Sequence, residues 1–383
     1  MTARIDIRPQ MLRWACDRAG LATDEIAHRI PQFAAWEKGE RRPTFRQLEK
    51  FAKATHTPIG YLFLPEPPEE ALPIRDLRTI ADGPVERPSP DLLDTVYTMQ
   101  RRQAWLREER IEDGVEPLDF VRSARLSDDP DGVGREMRRI LGMDDGWAAE
   151  LRTWQEAVGQ LRRAIEDLGV MAVINGVVGN NTHRKLDVQE FRGFALCDEY
   201  APLVFVNGAD ARSAQMFTLA HELAHVWLGT EGLSGFEGLF PGGTEVEDWC
   251  NRAAAELLVP ARALEERWPE AKRRGSPFET LARVFKVSPV VVGRRALDLR
   301  LVDRRRFFSF YNDSVRRERR AGKKSGGGDF YNNQNTRVGE LFALHVLSAA
   351  LEGRIGFKEA YDLTGLRGGA FQEYAARLGV PLP

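Results

Sequence analysis

The chain has 383 residues, 43% hydrophobic and 29% charged, with a formal net charge of −2. That length exceeds one ordinary core and implies roughly two to four domains, while the near-neutral charge excludes bulk attraction to nucleic acid and leaves any such binding to a local patch. Three scattered cysteines (Cys16, Cys197, Cys250) argue against a disulfide framework and for a reducing compartment, and no signal region or membrane-length apolar stretch occurs, so a cytoplasmic protein without a membrane partner is expected.

Residues 9–64 read as a compact helical unit. Pro9 opens a helix with apolar positions at Met11, Leu12, Ala15 and Ala19, ended by Gly20. Thr23 is expected to cap a second helix through Ile26, Ala27 and Ile30. Phe33 to Trp36 leads into a turn at residues 37–43, Thr44 caps a helix from Phe45 to Ala54, and Ile59, Tyr61, Leu62 and Phe63 close the core. The run Trp36-Glu-Lys-Gly-Glu-Arg-Arg-Pro43-Thr44, with Leu48-Glu-x-x-Ala52 and Tyr61-Leu-Phe63 after it, resembles the helix-turn-helix domain of the XRE (phage repressor-like) family. The segment Ala27 to Trp36 is about four residues short of a full turn and recognition helix at the usual spacing. The resemblance implies DNA contact, for which Arg41, Arg42 and Arg46 are the candidates; a docking module that no longer reads bases is the alternative.

Prolines 65, 67, 68, 73, 84, 88 and 90 mark residues 65–90 as a semi-rigid linker. A long amphipathic helix is expected from Pro90 to Glu109, with Leu92, Leu93, Val96, Met99 and Leu106 on one face and Arg101, Arg102, Arg107 and Arg110 as a basic flank. Helices follow at residues 134–141 and 154–168. The character changes at Gly169: residues 170–174, 191–196 and 203–206 read as short buried strands joined by loops at 176–185 and 197–201. Strands first and a helix from Ala211 next is the order of a small α+β core.

That helix carries His221-Glu222-Leu-Ala-His225. At four-residue spacing the imidazoles lie about 40° apart around the helix and one turn displaced, so both reach one metal ion. Glu222 projects beside them, where a carboxylate can take a proton from a metal-bound water. A Gly-rich loop at 232–243, containing Phe236, Leu239 and Phe240, is either a flap over a cleft or a plain connector. The next helix, Thr244 to Val259, offers Glu245, Glu247, Asp248 and Glu256, with Cys250 as a further donor type. Catalytic zinc more often completes a His₂Glu set, and Glu247 has Asn251 one turn on, able to accept the distal N–H of a ligand histidine. Glu247 is therefore the expected third ligand and Glu245 the fallback.

The segments Phe217-Thr-Leu-Ala-His221-Glu222-Leu-Ala-His225 and Glu247-x-x-Cys250-Asn251-x-Ala-Ala-Ala-Glu-Leu-Leu-Val-Pro260 resemble the ImmA/IrrE family of zinc metallopeptidases, of the gluzincin type. The second segment departs from the family pattern at Cys250 and Ala253, where Ala and often Phe stand, and keeps the ligand pattern. The resemblance covers roughly residues 150–300 and implies one catalytic zinc and cleavage of a protein partner. Relatives carrying an XRE-like unit cleave or inactivate nearby-encoded repressors, some in toxin–antitoxin pairs. An oxyanion donor is also required, and His183, Tyr200 and Arg192 are candidates.

Helices continue over residues 261–302. Arg304 to Arg306 and Arg316 to Lys324 are strongly basic, and a last helical unit spans 335–351, 357–363 and 370–378. The expected organisation is thus α+β and predominantly helical: an XRE-like domain (1–66), a Pro-rich linker and helical connector (67–150), a gluzincin-like zinc metallopeptidase core with a small sheet (151–302), and a basic segment with a C-terminal helical unit (303–383) that would offer a partner-binding platform. A reading of a different class stands beside it: an XRE-type transcription regulator or antitoxin whose metal site is structural, sensory or vestigial, with DNA held by the N-terminal helices and the basic segment.

Overall fold

A computed structural model describes residues 3–75, 88–234, 244–321 and 330–380. Their contacts form two units. One comprises the residues up to Pro73 together with the helix start as far as Tyr97; the other comprises Ile74 and Arg75 and everything from Thr98.

The first unit is helical: α1 (Pro9–Arg18), α2 (Thr23–Arg29), α3 (Phe33–Glu37), α4 (Phe45–Ala54) and a 3₁₀ turn (Ile59–Phe63). Pro9 sits in the first turn of α1, where its missing N–H costs nothing. Thr44 accepts from the Gln47 N–H while the Gln47 side chain accepts from the Thr44 N–H, a capping box that starts α4. Met11, Leu12, Ile26, Phe33, Trp36, Leu48, Phe51 and Leu62 fill the core. Two expectations are corrected here. Helix α2 is entered through Ala22 rather than capped by Thr23. Phe63 is half exposed and leaves the closing role to Leu62, because the tight 3₁₀ turn aims only one of the adjacent side chains inward. The buried Arg18 guanidinium donates to both Glu70 carboxylate oxygens, at 2.6 and 2.8 Å, and holds the chain beyond the turn against α1.

The helix α5 (Pro90–Glu112) leads into the second unit. There follow α6 (Pro130–Ile140), α7 (Trp154–Asp167), β1 (Met171–Asn175), β2 (Val177–Val178), β3 (Asn181–Lys185), β4 (Gly193–Leu196), β5 (Leu203–Asn207), α8 (Arg212–Leu228), β6 (Gly232–Ser234), α9 (Glu245–Leu258), α10 (Ala261–Arg273), α11 (Pro277–Phe285), α12 (Pro289–Asp298) and α13 (Arg304–Ala321). The C-terminal helices are α14 (Phe330–Val338), α15 (Glu340–Leu351), α16 (Phe357–Thr364) and α17 (Gly369–Arg377). The protein is thus predominantly helical with a small sheet. No helix among the described residues is long and apolar enough to cross a membrane.

The sheet has the order β1-β5-β4-β6, with β1 parallel to β5 and the other pairs antiparallel. Its strand residues are all buried. Helix α8 packs on β4 and β5 and lies against α9, and α9 packs on α6. The last approach is close: a Cβ on Gly134 would come within 2.5 Å of the Ala253 carbonyl oxygen. Arg295 on α12 pairs with Glu256 of α9 and, at 2.8 Å, with Asp131 of α6, so the three helices share one buried charge network.

Several sequence expectations change in this unit. Residues 176–185 are not a plain loop: β2 and β3 pair as an antiparallel hairpin, turning through Gly179 at φ 55°. The exposed polar run of β3 hides its strand character, because neither face alternates with apolar residues. Gly232–Ser234, expected as the start of a loop, pairs with β4 as an edge strand, and its Leu233 N–H donates to the Arg75 carbonyl at 2.9 Å. Phe236, Leu239 and Phe240 of the expected flap lie outside the described residues, as does much of the basic run to Lys324 and the glycines after it. The expected helix 335–351 is two helices, broken at Gly339, whose φ of 87° no helix accommodates. Arg102 and Arg110 are buried rather than part of a solvated flank. Arg102 donates to the Leu363 and Arg337 carbonyls at 2.9 and 3.0 Å, and Arg110 donates to the Gly169 carbonyl at 2.8 Å. Backbone carbonyls thus take the place of water around both charges.

Candidate metal centre

Helix α8 is entered from Ala211 in extended conformation, and the Gln215 side chain donates to the Gly208 and Asp210 carbonyls at 3.1 and 2.7 Å, fixing the entry. From Gln215 to Trp227 every residue is buried, so the helix is apolar on nearly all sides and its polar residues must find partners inside the protein. It ends at Gly229 in the left-handed conformation, with the Gly229 N–H donating to Val226 and the Thr230 N–H to His225. That pair of bonds is a Schellman motif. Helix α9 begins where Thr244 accepts from the Glu247 N–H at 3.3 Å. The Glu247 carboxylate then points across to α8 instead of back to its own cap.

The result is a buried cluster. His221 Nε2 lies 3.2 Å from Glu247 Oε2, His225 Nε2 lies 3.2 Å from Glu247 Oε1, and the two Nε2 atoms are 3.1 Å apart. One donor atom from each of the three residues falls within 4.8 Å of the others. A tetrahedral zinc with arms of ~2.0–2.1 Å sets its donors ~3.3 Å apart, so spacing and donor set both fit that ion. The buried Glu247 Oε1 lacks a full hydrogen-bond partner, which also suits a site built around a cation.

Burial drives the His221 imidazole down, but the charge and hydrogen bond of Glu247 outweigh it and the net shift is upward; Glu222 and a hydrogen bond donated by the imidazole to the Asn251 side chain add to it. His225 goes the other way, lowered chiefly by burial. Burial raises Glu247, yet the two imidazoles hold it well below the usual carboxylate range. Glu222 is fully buried and pushed up to about 8 by burial, with His221 opposing, Glu247 adding and the Ser234 hydroxyl opposing. A divalent cation beside it acts in the opposite direction and favours the carboxylate.

The structure brings His221, His225 and Glu247 together, with Glu222 beside them and Asn251 against His221. The fallback Glu245 is exposed at the start of α9, outside the cluster. Of the oxyanion candidates, Arg192 pairs with Asp210 at 3.5 Å. His183 is exposed on β3, and the Tyr200 ring lies beneath the Arg107 guanidinium. In the first unit Arg41, Arg42 and Arg46 are exposed, with Arg42 paired to Asp6 at 3.3 Å.

Three further residues shape the site without having been singled out by the sequence. The Thr230 hydroxyl meets His225 Nδ1 at 2.9 Å. Ser234 on β6 faces Glu222, and Gly193 on β4 allows the strand backbone to approach the Glu222 carboxyl. A local signal existed only for Thr230: a Gly four residues after His225 and a Thr directly behind it mark a helix end folding back on the histidine. Gly193 and Ser234 reach Glu222 through the sheet, and no local pattern announces that.

Residues 165–297, which contain the whole cluster, match the family model of the IrrE N-terminal-like domain (Peptidase_M78), and residues 338–377 match that of a domain of unknown function (DUF8813). No curated protein and no solved structure matches the chain. Across the segment that builds the metal centre, this chain is similar to a metallopeptidase domain of the ImmA/IrrE type.

Proposed function

We propose that the protein is a zinc-dependent metallo-endopeptidase of the ImmA/IrrE type that cleaves a protein partner, a transcriptional repressor or antitoxin-type regulator. The observation that carries the reading is the convergence of His221, His225 and Glu247 donor atoms beside Glu222, inside a segment similar to a metallopeptidase family.

In this reading His221, His225 and Glu247 hold one zinc ion, and Asn251 accepts the distal N–H of His221 and orients its ring. Bound there, zinc would lower the pKa of a water towards ~7 and polarise the scissile carbonyl. Glu222 accepts the water's proton and can return it to the leaving amine. It is fully buried beside the cluster, with the Ser234 hydroxyl facing its carboxyl.

The test is Glu222→Gln in the full-length protein. The variant is expected to keep its zinc, to lose cleavage, and to trap its substrate for identification by co-purification. Cleavage of the trapped partner at the wild-type rate by a zinc-loaded variant overturns the mechanism.

A second reading rests on the exposure of Arg41, Arg42 and Arg46 beside a one-turn α3. Here the N-terminal unit is an XRE-like module that contacts DNA phosphates, and the metal site is structural or sensory. Binding to the protein's own upstream DNA that falls steeply with salt, and weakens when the three arginines are replaced, supports it. Salt-insensitive binding leaves the peptidase reading without this addition.

A further inference from the structure

Each ligand imidazole bound through Nε2 carries its proton on Nδ1, and that N–H needs an acceptor if the ring is to keep its orientation. For His221 the facing side chain is Asn251. For His225 the facing atom is Thr230 Oγ1, 2.9 Å from Nδ1. On the other side of the same ring, Nε2 faces His221 and Glu247 at 3.1 and 3.2 Å. The two ring nitrogens therefore have distinct surroundings, and only Nε2 looks into the cluster.

The position of Thr230 is built, not incidental. In a Schellman motif the residue after the left-handed glycine folds back beside the residue five positions earlier, a contact more often made by two apolar side chains. Here those positions hold Thr230 and His225, and the Thr230 N–H also donates to the His225 carbonyl at 3.0 Å. The Cys197 thiol, at the end of β4, donates to the Thr230 carbonyl at 3.4 Å, and the Cys197 N–H donates to Glu231 at 3.1 Å. The turn is thus tied to the sheet as well as to the helix. Charge explains why a hydroxyl suits the place. Glu222 and Glu247 together balance a dication, so an ionised acceptor behind His225 would add an unbalanced charge to a buried cluster.

We propose that Thr230 is a positioning residue: its hydroxyl accepts the His225 Nδ1–H and so presents Nε2 to the metal. The proposal rests on the metal-site reading above, and the experiment separates the two.

Zinc affinity is measured on the full-length protein by competition with a chromophoric chelator, for wild type, Thr230→Val, Thr230→Ala, Thr230→Ser and His225→Ala. The visible absorption of the cobalt(II)-substituted proteins reports ligand geometry alongside it. Loss of the hydroxyl in T230V and T230A is expected to weaken zinc binding about 10- to 100-fold and to change the cobalt spectrum, while T230S retains both. The alanine variant carries no added bulk, so it guards against a folding defect peculiar to valine. Wild-type affinity and spectrum in both T230V and T230A, with zinc lost in H225A, overturns the role of Thr230 alone. Zinc bound undiminished by H225A overturns the metal-site reading and this proposal with it.

Discussion

Gly193 and Glu222 are in such close approach that a Cβ on the glycine would stand 2.6 Å from Glu222 Oε1. It would also meet Thr218 Cγ2 at 2.7 Å and the Phe205 carbonyl oxygen at 2.8 Å. The strand backbone is therefore one wall of the pocket that holds the carboxyl. Gly193→Ala is expected to displace Glu222 or β4 at a cost of about 1–3 kcal/mol. A lowered melting temperature with zinc still bound would show it; an unchanged melting temperature would mean the wall yields freely.

The metal cluster joins α8 to α9 through side chains alone, so metal should stabilise the fold that positions them. Zinc in excess of its Kd by about a hundredfold adds about 2.7 kcal/mol if only the folded state binds it. Thermal melts with zinc and with a chelator should differ for wild type and for Glu222→Gln, and should coincide for Glu247→Ala, which lacks the third donor.

Glu166 gives a test by pH. It is buried, paired with Arg162, and accepts from the Glu340 and Leu341 N–H groups at the start of α15. Burial pushes its carboxyl up to about 7, with Arg162 opposing and Glu340 adding. Because the folded pKa exceeds the unfolded one, the native state keeps the proton longer. Its contribution to stability is therefore full below the unfolded pKa and is lost as pH rises towards the folded value, flattening above it. Glu166→Gln removes this dependence, so the variant's melting temperature should gain on wild type between about pH 5 and about pH 8. A gap that is constant across that range contradicts the assignment.

Arg102 fastens the C-terminal helices. Burial lowers its guanidinium to about 10, still charged at neutral pH, and its donors satisfy the carbonyls of Leu363 and Arg337. Arg102→Met leaves both acceptors without that donor and is expected to cost on the order of 3 kcal/mol. Faster amide exchange in α14 and α16, with the first unit unchanged, is the expected signature.

Much of the helical order was legible because its causes are local. Thr44, Thr153, Thr244 and Ser288 accept from N–H groups three residues on, and the helices they start begin where those caps stand. The short strands were harder. β6 is three residues long and exists through its pairing with β4, about forty residues earlier in the chain, so no periodicity could develop within it. The burial of Arg102 depended on carbonyls more than two hundred residues away, and its own helix read as a basic face.

The sequence by itself determined that His221 and His225 share one face of a helix with Glu222 beside them, since a four-residue spacing is a property of the helix alone. It also contained the Gly229-Thr230 ending that returns the chain to His225. Only the tertiary structure decided that Glu247, and not Glu245, faces those imidazoles, that β4 passes Glu222 at a glycine, and that Ser234 comes with it. Those relations arise where separate elements pack together, and the distances between elements are set by the whole core rather than by any stretch of neighbouring residues.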